Sequence, residues 1–169
     1  MHRRIIETLV VSVVALAGCG GDDQRFGEFV GTWHYDTATG TLTCRAPVNQ
    51  AFDVPPIINK VFQDGIVDVL VDVSPSLFDG VTTCDTIFDV SDKTATVRTM
   101  PSQPCPLAGG DMVTPMMWRF TLIGPNKAEE TGGALVNAIF LDNSTTPPTE
   151  VPVPCDYTMQ ANLTRVAAD

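Results

Sequence analysis

Residues 155–166 alternate with a period of two. Tyr157, Met159, Ala161 and Leu163 fall on one parity, and Asp156, Thr158, Gln160, Asn162 and Thr164 on the other. Successive side chains of a strand point to opposite faces, so this run has one dry face and one wet face. The same kind of signal recurs along the chain after its first two dozen residues. Short runs rich in Val, Ile, Thr and Phe are broken by Gly, Pro, Asn and Asp, and helical signals are nearly absent. Eight strands are predicted: A over 32–44, B over 57–63, C over 66–73, D over 85–90, E over 94–100, F over 116–123, G over 128–141 and H over 155–166. In C, Val67, Val69, Val71 and Val73 share one face, and Asp68, Leu70 and Asp72 the other. In A, Trp33 and Tyr35 precede a parity change near Gly40, and Leu42 and Cys44 follow it. A bulge near Gly40 would keep both pairs on one side.

The connections fall into two classes. B–C, D–E and F–G are tight, at Asp64-Gly65, Ser91-Asp92-Lys93 and Gly124-Pro125-Asn126-Lys127. Asp-Gly favours a two-residue hairpin turn, in which both positions take positive φ. The A–B, C–D, E–F and G–H connections are long and rich in Pro, Ser or Gly. In an up-and-down meander, alternate connections lie at opposite ends. The long loops therefore gather at one end and the tight turns at the other. The expected fold class is all-β, an eight-stranded antiparallel up-and-down barrel.

Cysteine placement bears on whether such a sheet closes. Apart from Cys19, the chain has Cys44, Cys84, Cys105 and Cys155, all at the long-loop end. None forms a Cys-x-x-Cys pair, which argues against zinc and redox motifs. Four cysteines in an exported chain indicate two disulfides with three possible pairings. Aligning strands A and H antiparallel sets Cys44 opposite Cys155 and Trp33 opposite Val166, beside Arg165. One register thus joins two cysteines at one end and an aromatic–arginine pair at the other. A bridge across a loop of about 100 residues contributes about 4.7 kcal/mol in the chain-entropy account. Cys84 and Cys105 remain as the second pair.

Gly31-Thr32-Trp33 at the start of strand A, with Arg165 near the end of H, resembles the lipocalin signature. The resemblance spans roughly 29–166. It implies that Trp33 packs across the base of a barrel and that Arg165 covers its ring. Long mouth loops alternating with short base turns are also similar. The chain departs from that family in having no evident helix after strand H.

The N-terminus carries a separate resemblance. Met1-His2-Arg3-Arg4 is followed by a largely apolar run to Ala17, interrupted by Glu7, and then by Leu16-Ala17-Gly18-Cys19. This is a basic start, a short apolar core and a small-residue cleavage site. The run is too short to span a bilayer, which takes about 20 residues. The last four residues resemble the bacterial lipobox. That resemblance implies cleavage after 18 and lipid modification of Cys19, with 19–28 as a polar tether and 29–169 as the lipocalin-like domain. Gly20 rather than aspartate after the cysteine points to the outer membrane of a bacterial envelope, on its periplasmic or surface face. The expected partners are the membrane, through Cys19, and a small apolar ligand or an envelope protein.

Charge narrows the function classes. With 20 acidic against 10 basic side chains, the chain lacks the clustered Lys and Arg that contact phosphates, so no nucleic acid is expected. His34 lies on the wet parity of strand A, as an exposed strand residue. No Gly-x-Ser-x-Gly elbow, His-Glu-x-x-His pair or phosphate-cradling loop is present. Asp64, Asp68 and Asp72 recur every four residues, about 13 Å apart along a strand at about 3.3 Å per residue. That spacing is too wide for one Ca²⁺ shell, and a solvated face is expected. Neither enzyme activity, metal nor cofactor is therefore expected. Met116, Trp118, Phe120 and Leu122 share one face of F, and Tyr157 and Met159 face the same interior from H. Met116, Trp118, Phe120, Tyr157 and Met159 are expected to line a cavity for a small apolar ligand at the loop end, which Asp53, Asp79, Asp111 and Glu150 would rim. The alternative is a filled barrel, which would leave a structural or protein-interaction role with loops as the recognition surface.

Overall fold

The computed structural model describes residues 26–57, 59–65, 69–72, 86–98, 105–106 and 112–166. The expected signal segment, Cys19, Asp68, Asp79, Cys84 and Asp111 lie outside the described residues, and for Cys105 only the backbone is described. The expected Cys84–Cys105 bridge therefore lies outside them too. A single 3-10 turn, Phe26–Glu28, precedes β1 (Gly31–Cys44), β2 (Ala51–Asp53), β3 (Lys60–Asp64), β4 (Leu70–Asp72) and β5 (Thr86–Ser91). Then come β6 (Thr94–Val97), β7 (Cys105–Pro106), β8 (Met112–Gly124), β9 (Lys127–Asp142) and β10 (Thr149–Arg165).

All described strands belong to one antiparallel sheet. Nine follow the order β10-β9-β8-β6-β5-β4-β3-β1-β2, β7 adds to β8, and β10 pairs with β1 as well as with β9. The expectation of eight strands is corrected. The eight predicted runs correspond to β1, β3–β6 and β8–β10, while β2 and β7 lie inside segments read as loops. Strands of three and two residues are too short to show a period.

The β1–β10 register matches the alignment at one end and shifts by one residue at the other. Cys44 pairs with Cys155 and Leu42 with Tyr157, but Trp33 pairs with Arg165 rather than Val166. The cause is a bulge between Tyr35 and Thr37, not the expected one at Gly40. The extra residue, Asp36, points outward, where its carboxylate accepts hydrogen bonds from Thr164 Oγ1 at 2.5 Å and Lys127 Nζ at 3.2 Å. These bonds hold the Asp36 carboxyl below the ordinary aspartate range, the Thr164 bond most strongly. Gly40 instead faces inward, and a Cβ there would lie 2.2 Å from Val54 O and 2.6 Å from the Tyr157 hydroxyl. Its bare backbone makes room for the 2.9 Å hydrogen bond that Tyr157 donates to Val54 O.

Three strands run further into the expected loops than their sequences indicate. β8 starts at Met112, β9 reaches Asp142, and β10 starts at Thr149 despite Pro152 and Pro154. Proline is excluded from a strand only where its missing N–H would serve a neighbour. Pro154 O accepts from Arg45 N at 3.0 Å, on the β1 side. A residue's N and O lie on the same side of a strand, so neither proline takes a donor from the β9 ladder.

Two expectations for the B–C hairpin are overturned. Asp64 pairs with Leu70 and Phe62 with Asp72, so the connection spans 65–69 rather than turning tightly at Asp64-Gly65. Directly opposed residues share a face. Phe62 is fully buried, and its register partner Asp72 and near neighbour Leu70 are carried inward with it. The Val69 and Val71 face is only half-buried, and Asp72 does not belong to a solvated face.

Packing concentrates on the buried face of the sheet. Phe120 stands edge-on to Trp33 and to Phe62, each with centroids 5.0 Å apart, and Phe62 meets Phe88 at 5.3 Å. At the far end of β1 a disulfide joins Cys44 to Cys155, 111 residues apart. Replacing both cysteines by alanine is expected to lower unfolding free energy by about 2–5 kcal/mol, because the unfolded chain regains a long open loop. Chemical denaturation of both forms under non-reducing conditions checks this.

Candidate functional site

Among the described residues, three charged side chains are carried inward on the dry parities of their strands. Lys60 shares the parity of Phe62 on β3, Asp72 that of Leu70 on β4, and Glu130 that of Ala128 and Ala134 on β9. They are 1%, 3% and 0% exposed. Lys60 Nζ lies 2.6 Å from Asp72 Oδ2 and 2.7 Å from Glu130 Oε1. Trp118 Nε1 donates to the same Glu130 oxygen at 2.6 Å, and the Tyr35 hydroxyl donates to Glu130 Oε2 at 2.9 Å. The rings of Phe62, Phe88 and Trp118 surround the ammonium at 5.3, 5.7 and 5.7 Å. Side chains of β4, β5, β8 and β9 thus converge on the lysine of β3, and β1 reaches its partner Glu130.

Backbone choices nearby make the geometry possible. Trp118 pairs with Gly132 across β8–β9, and a Cβ on Gly132 would lie 2.5 Å from the indole. Without a side chain there, the indole settles on the β9 backbone and its N–H reaches Glu130, two residues away. Trp118 also stacks on Tyr157, with centroids 6.3 Å apart.

Burial shapes the electrostatics. Desolvation alone would push the Lys60 amine down, but the charges of Asp72 and Glu130 outweigh it and hold Lys60 above its ordinary value. The Tyr157 hydroxyl is pushed up, first by burial and then by the negative charge of Glu130. Charges this deep are tolerated because each finds a partner; an isolated one would cost several kcal/mol.

The structure distributes the expected site residues unevenly. Trp118, Phe120, Tyr157 and Met159 are buried together in the interior. Met116 is not with them: it is 43% exposed, because β8 shifts register between Pro115 and Met117. Trp33 and Arg165 meet at the other end, with the guanidinium carbon 4.9 Å from the indole ring centre. Trp33 Nε1 donates to Phe29 O at 2.8 Å, and Arg165 Nη2 donates to Glu28 O and, at 3.4 Å, to Gly27 O. The 3-10 turn is thereby tied to the Trp33 end. His34 is exposed and pairs through Nδ1 with Asn59 Oδ1 at 2.9 Å. Asp53, Asp64 and Glu150 are also exposed.

Sequence reading missed Lys60 and Glu130 as interior residues and placed Asp72 outside. For Lys60 and Glu130 the available signal was parity, since each shares the apolar positions of its strand; for Asp72 the valines of the opposite parity hid it. On the outer face, Thr96, Met116, Met117, Trp118, Gly132 and Gly133 help border a mostly apolar depression of about 410 Å³. Compared with known proteins, the chain matches no family model, no curated protein and no solved structure.

Substituting Lys60 by methionine keeps the length of the side chain but leaves two buried carboxylates facing each other without their cation. The expected cost is about 3–5 kcal/mol of stability. Urea unfolding at neutral pH, compared with the unsubstituted chain, measures it.

Proposed function

We propose that this chain is a lipid-anchored bacterial envelope protein whose sheet closes as a lipocalin-like barrel with a filled interior, serving a structural or protein-interaction role. The closure reading is supported by β10 having hydrogen-bonded neighbours on both sides, β9 and β1. It is also supported by side-chain contacts between strands that are not neighbours, such as Tyr35 with Glu130 and Phe62 with Phe120. The barrel strands are then β1, β3–β6 and β8–β10. The choice of the filled reading is supported by packing among the described interior residues. Four of the five residues expected to line a ligand cavity, Trp118, Phe120, Tyr157 and Met159, are buried instead, with Trp118 stacked on Tyr157 and hydrogen-bonded to Glu130 of the cluster.

The lipid anchor rests on the lipobox resemblance at Leu16-Ala17-Gly18-Cys19. The 3-10 turn at Phe26–Glu28 packs at the Trp33–Arg165 end. Cys19 lies a few residues upstream, so this reading turns that end toward the membrane and the Cys44–Cys155 end away from it. Proteins that bind there would meet the long connections carried by a rigid sheet.

A second reading, carriage of a small apolar molecule, is favoured by the outer depression beside Met116, Met117 and Trp118. Its volume falls within the range of small-molecule sites, about 300–1,000 Å³. The full chain, purified from its host in mild detergent, is expected to give a native mass with no small molecule retained beyond its own lipid. A retained apolar compound would instead establish carriage. Growth with an alkyne fatty acid is expected to label the protein, and Cys19→Ser is expected to abolish the label and release the protein from the membrane fraction. Labelling that persists in Cys19→Ser would overturn the anchor.

A further inference from the structure

Lys60, Asp72 and Glu130 do more than neutralise one another. We propose that Lys60 and Asp72 become joined by an intramolecular amide bond between Lys60 Nζ and Asp72 Cγ, with Glu130 as the proton-relaying catalytic residue. The inference rests on the packed cluster alone and is independent of the lipid-anchor and barrel readings.

Three observations carry it. The first is proximity: the amine nitrogen is 2.6 Å from one oxygen of the Asp72 carboxyl, so the carboxyl carbon is one covalent bond further on. Well-oriented intramolecular partners behave as though present at about 10⁵–10⁸ M. The second is enclosure: the three side chains are buried, and aromatic rings surround the ammonium. In water, solvation of the ammonium and carboxylate opposes condensation. Here that solvation is already lost, and amide formation removes both charges from an apolar surround. The third is a positioned base: Glu130 Oε1 lies 2.7 Å from Nζ, and the Trp118 indole and Tyr35 hydroxyl fix its two oxygens.

These bonds also assign the roles. With both oxygens held by Trp118 and Tyr35 and one of them beside Lys60 Nζ, Glu130 is placed to relay protons, while Asp72 offers the carboxyl carbon. Asp72 lies on β4, directly paired with β3, so the bond joins neighbouring strands.

The step balances without any co-reactant. The Lys60 ammonium gives one proton to the Asp72 carboxylate through Glu130, leaving an amine and a carboxylic acid. The nitrogen lone pair then forms the N–C bond at Cγ, and the carbonyl π pair moves onto its oxygen. Glu130 accepts a second proton from nitrogen and delivers it to the departing hydroxyl. The C–O bond breaks with its electron pair, the carbonyl re-forms, one water leaves, and Glu130 is again a carboxylate. Nothing is oxidised or reduced.

The test is peptide mapping of the full chain, denatured, with its disulfides reduced and alkylated. A protease cutting before aspartate separates Lys60 from Asp72 at Asp64 and Asp68. The expected result is one branched product, lighter by one water than the two peptides together, with fragment ions placing the link on Lys60 and Asp72. Recovery of the two peptides separate and unmodified would overturn the proposal, as would a water deficit confined to Asp64-Gly65. Glu130→Gln is expected to cut the branched product at least tenfold. Undiminished yield in that variant would remove Glu130 from its role. If the variant fails to fold, the digest of the unsubstituted chain still decides the bond.

Discussion

β1 and β10, the first and last long strands, pair along β1 from Trp33 to Cys44, and the remaining structure depends on that pairing. It brings together residues separated by most of the described chain. Trp33 and Arg165 meet at one end, and Cys44 and Cys155 are covalently joined at the other. The pairing also carries Tyr35 inward, where its hydroxyl reaches Glu130 of β9. A one-residue slip would turn every inward side chain of β10 outward. The bulge at Asp36 lets β1 keep both of its halves facing in while the disulfide holds the far end in register.

Inside, the packing is directional as well as apolar. Phe62, Phe88 and Phe120 fill volume through edge-on contacts, which tolerate small rotations. The Lys60–Glu130–Asp72 cluster does not. Its hydrogen bonds require Lys60 of β3, Asp72 of β4, Trp118 of β8, Glu130 of β9 and Tyr35 of β1 to arrive together. A misregistered strand would leave a charge buried and unpaired, so the cluster penalises alternative pairings more than an all-apolar core would. The same convergence and exclusion of water suit the cluster to condensation chemistry. Stability, specificity and reactivity here share one arrangement.

Much of the fold was legible from periodicity. Strand H alternates cleanly, and its parity is the observed one: Tyr157, Met159, Ala161 and Leu163 are all buried. Strand C misled because Val69 and Val71 occupy the outward parity, while Leu70 and Asp72 occupy the inward one. Four Val side chains outweigh a single Leu in any local count. The burial of Phe62 on the partner strand is what decides the face, and that is a register effect. Met116 misled for a similar reason, since the register shift in β8 breaks the alternation that Trp118, Phe120 and Leu122 follow. Prolines at 152 and 154 hid the start of β10, because their tolerance depends on which neighbour lies beside them.

The sequence by itself determined that this chain forms antiparallel strands and which parity of most strands is dry, and it offered a register in which Cys44 and Cys155 meet. These follow from local alternation and from a register that pairs the two ends of strands A and H. Only the tertiary structure decided that Lys60, Asp72 and Glu130 are partners, that the bulge falls at Asp36, and that Gly132 receives the Trp118 indole. A lone charged residue reads as solvated wherever it stands in a chain. Whether it is buried depends on an opposite charge arriving from a distant strand, and no local pattern records that meeting.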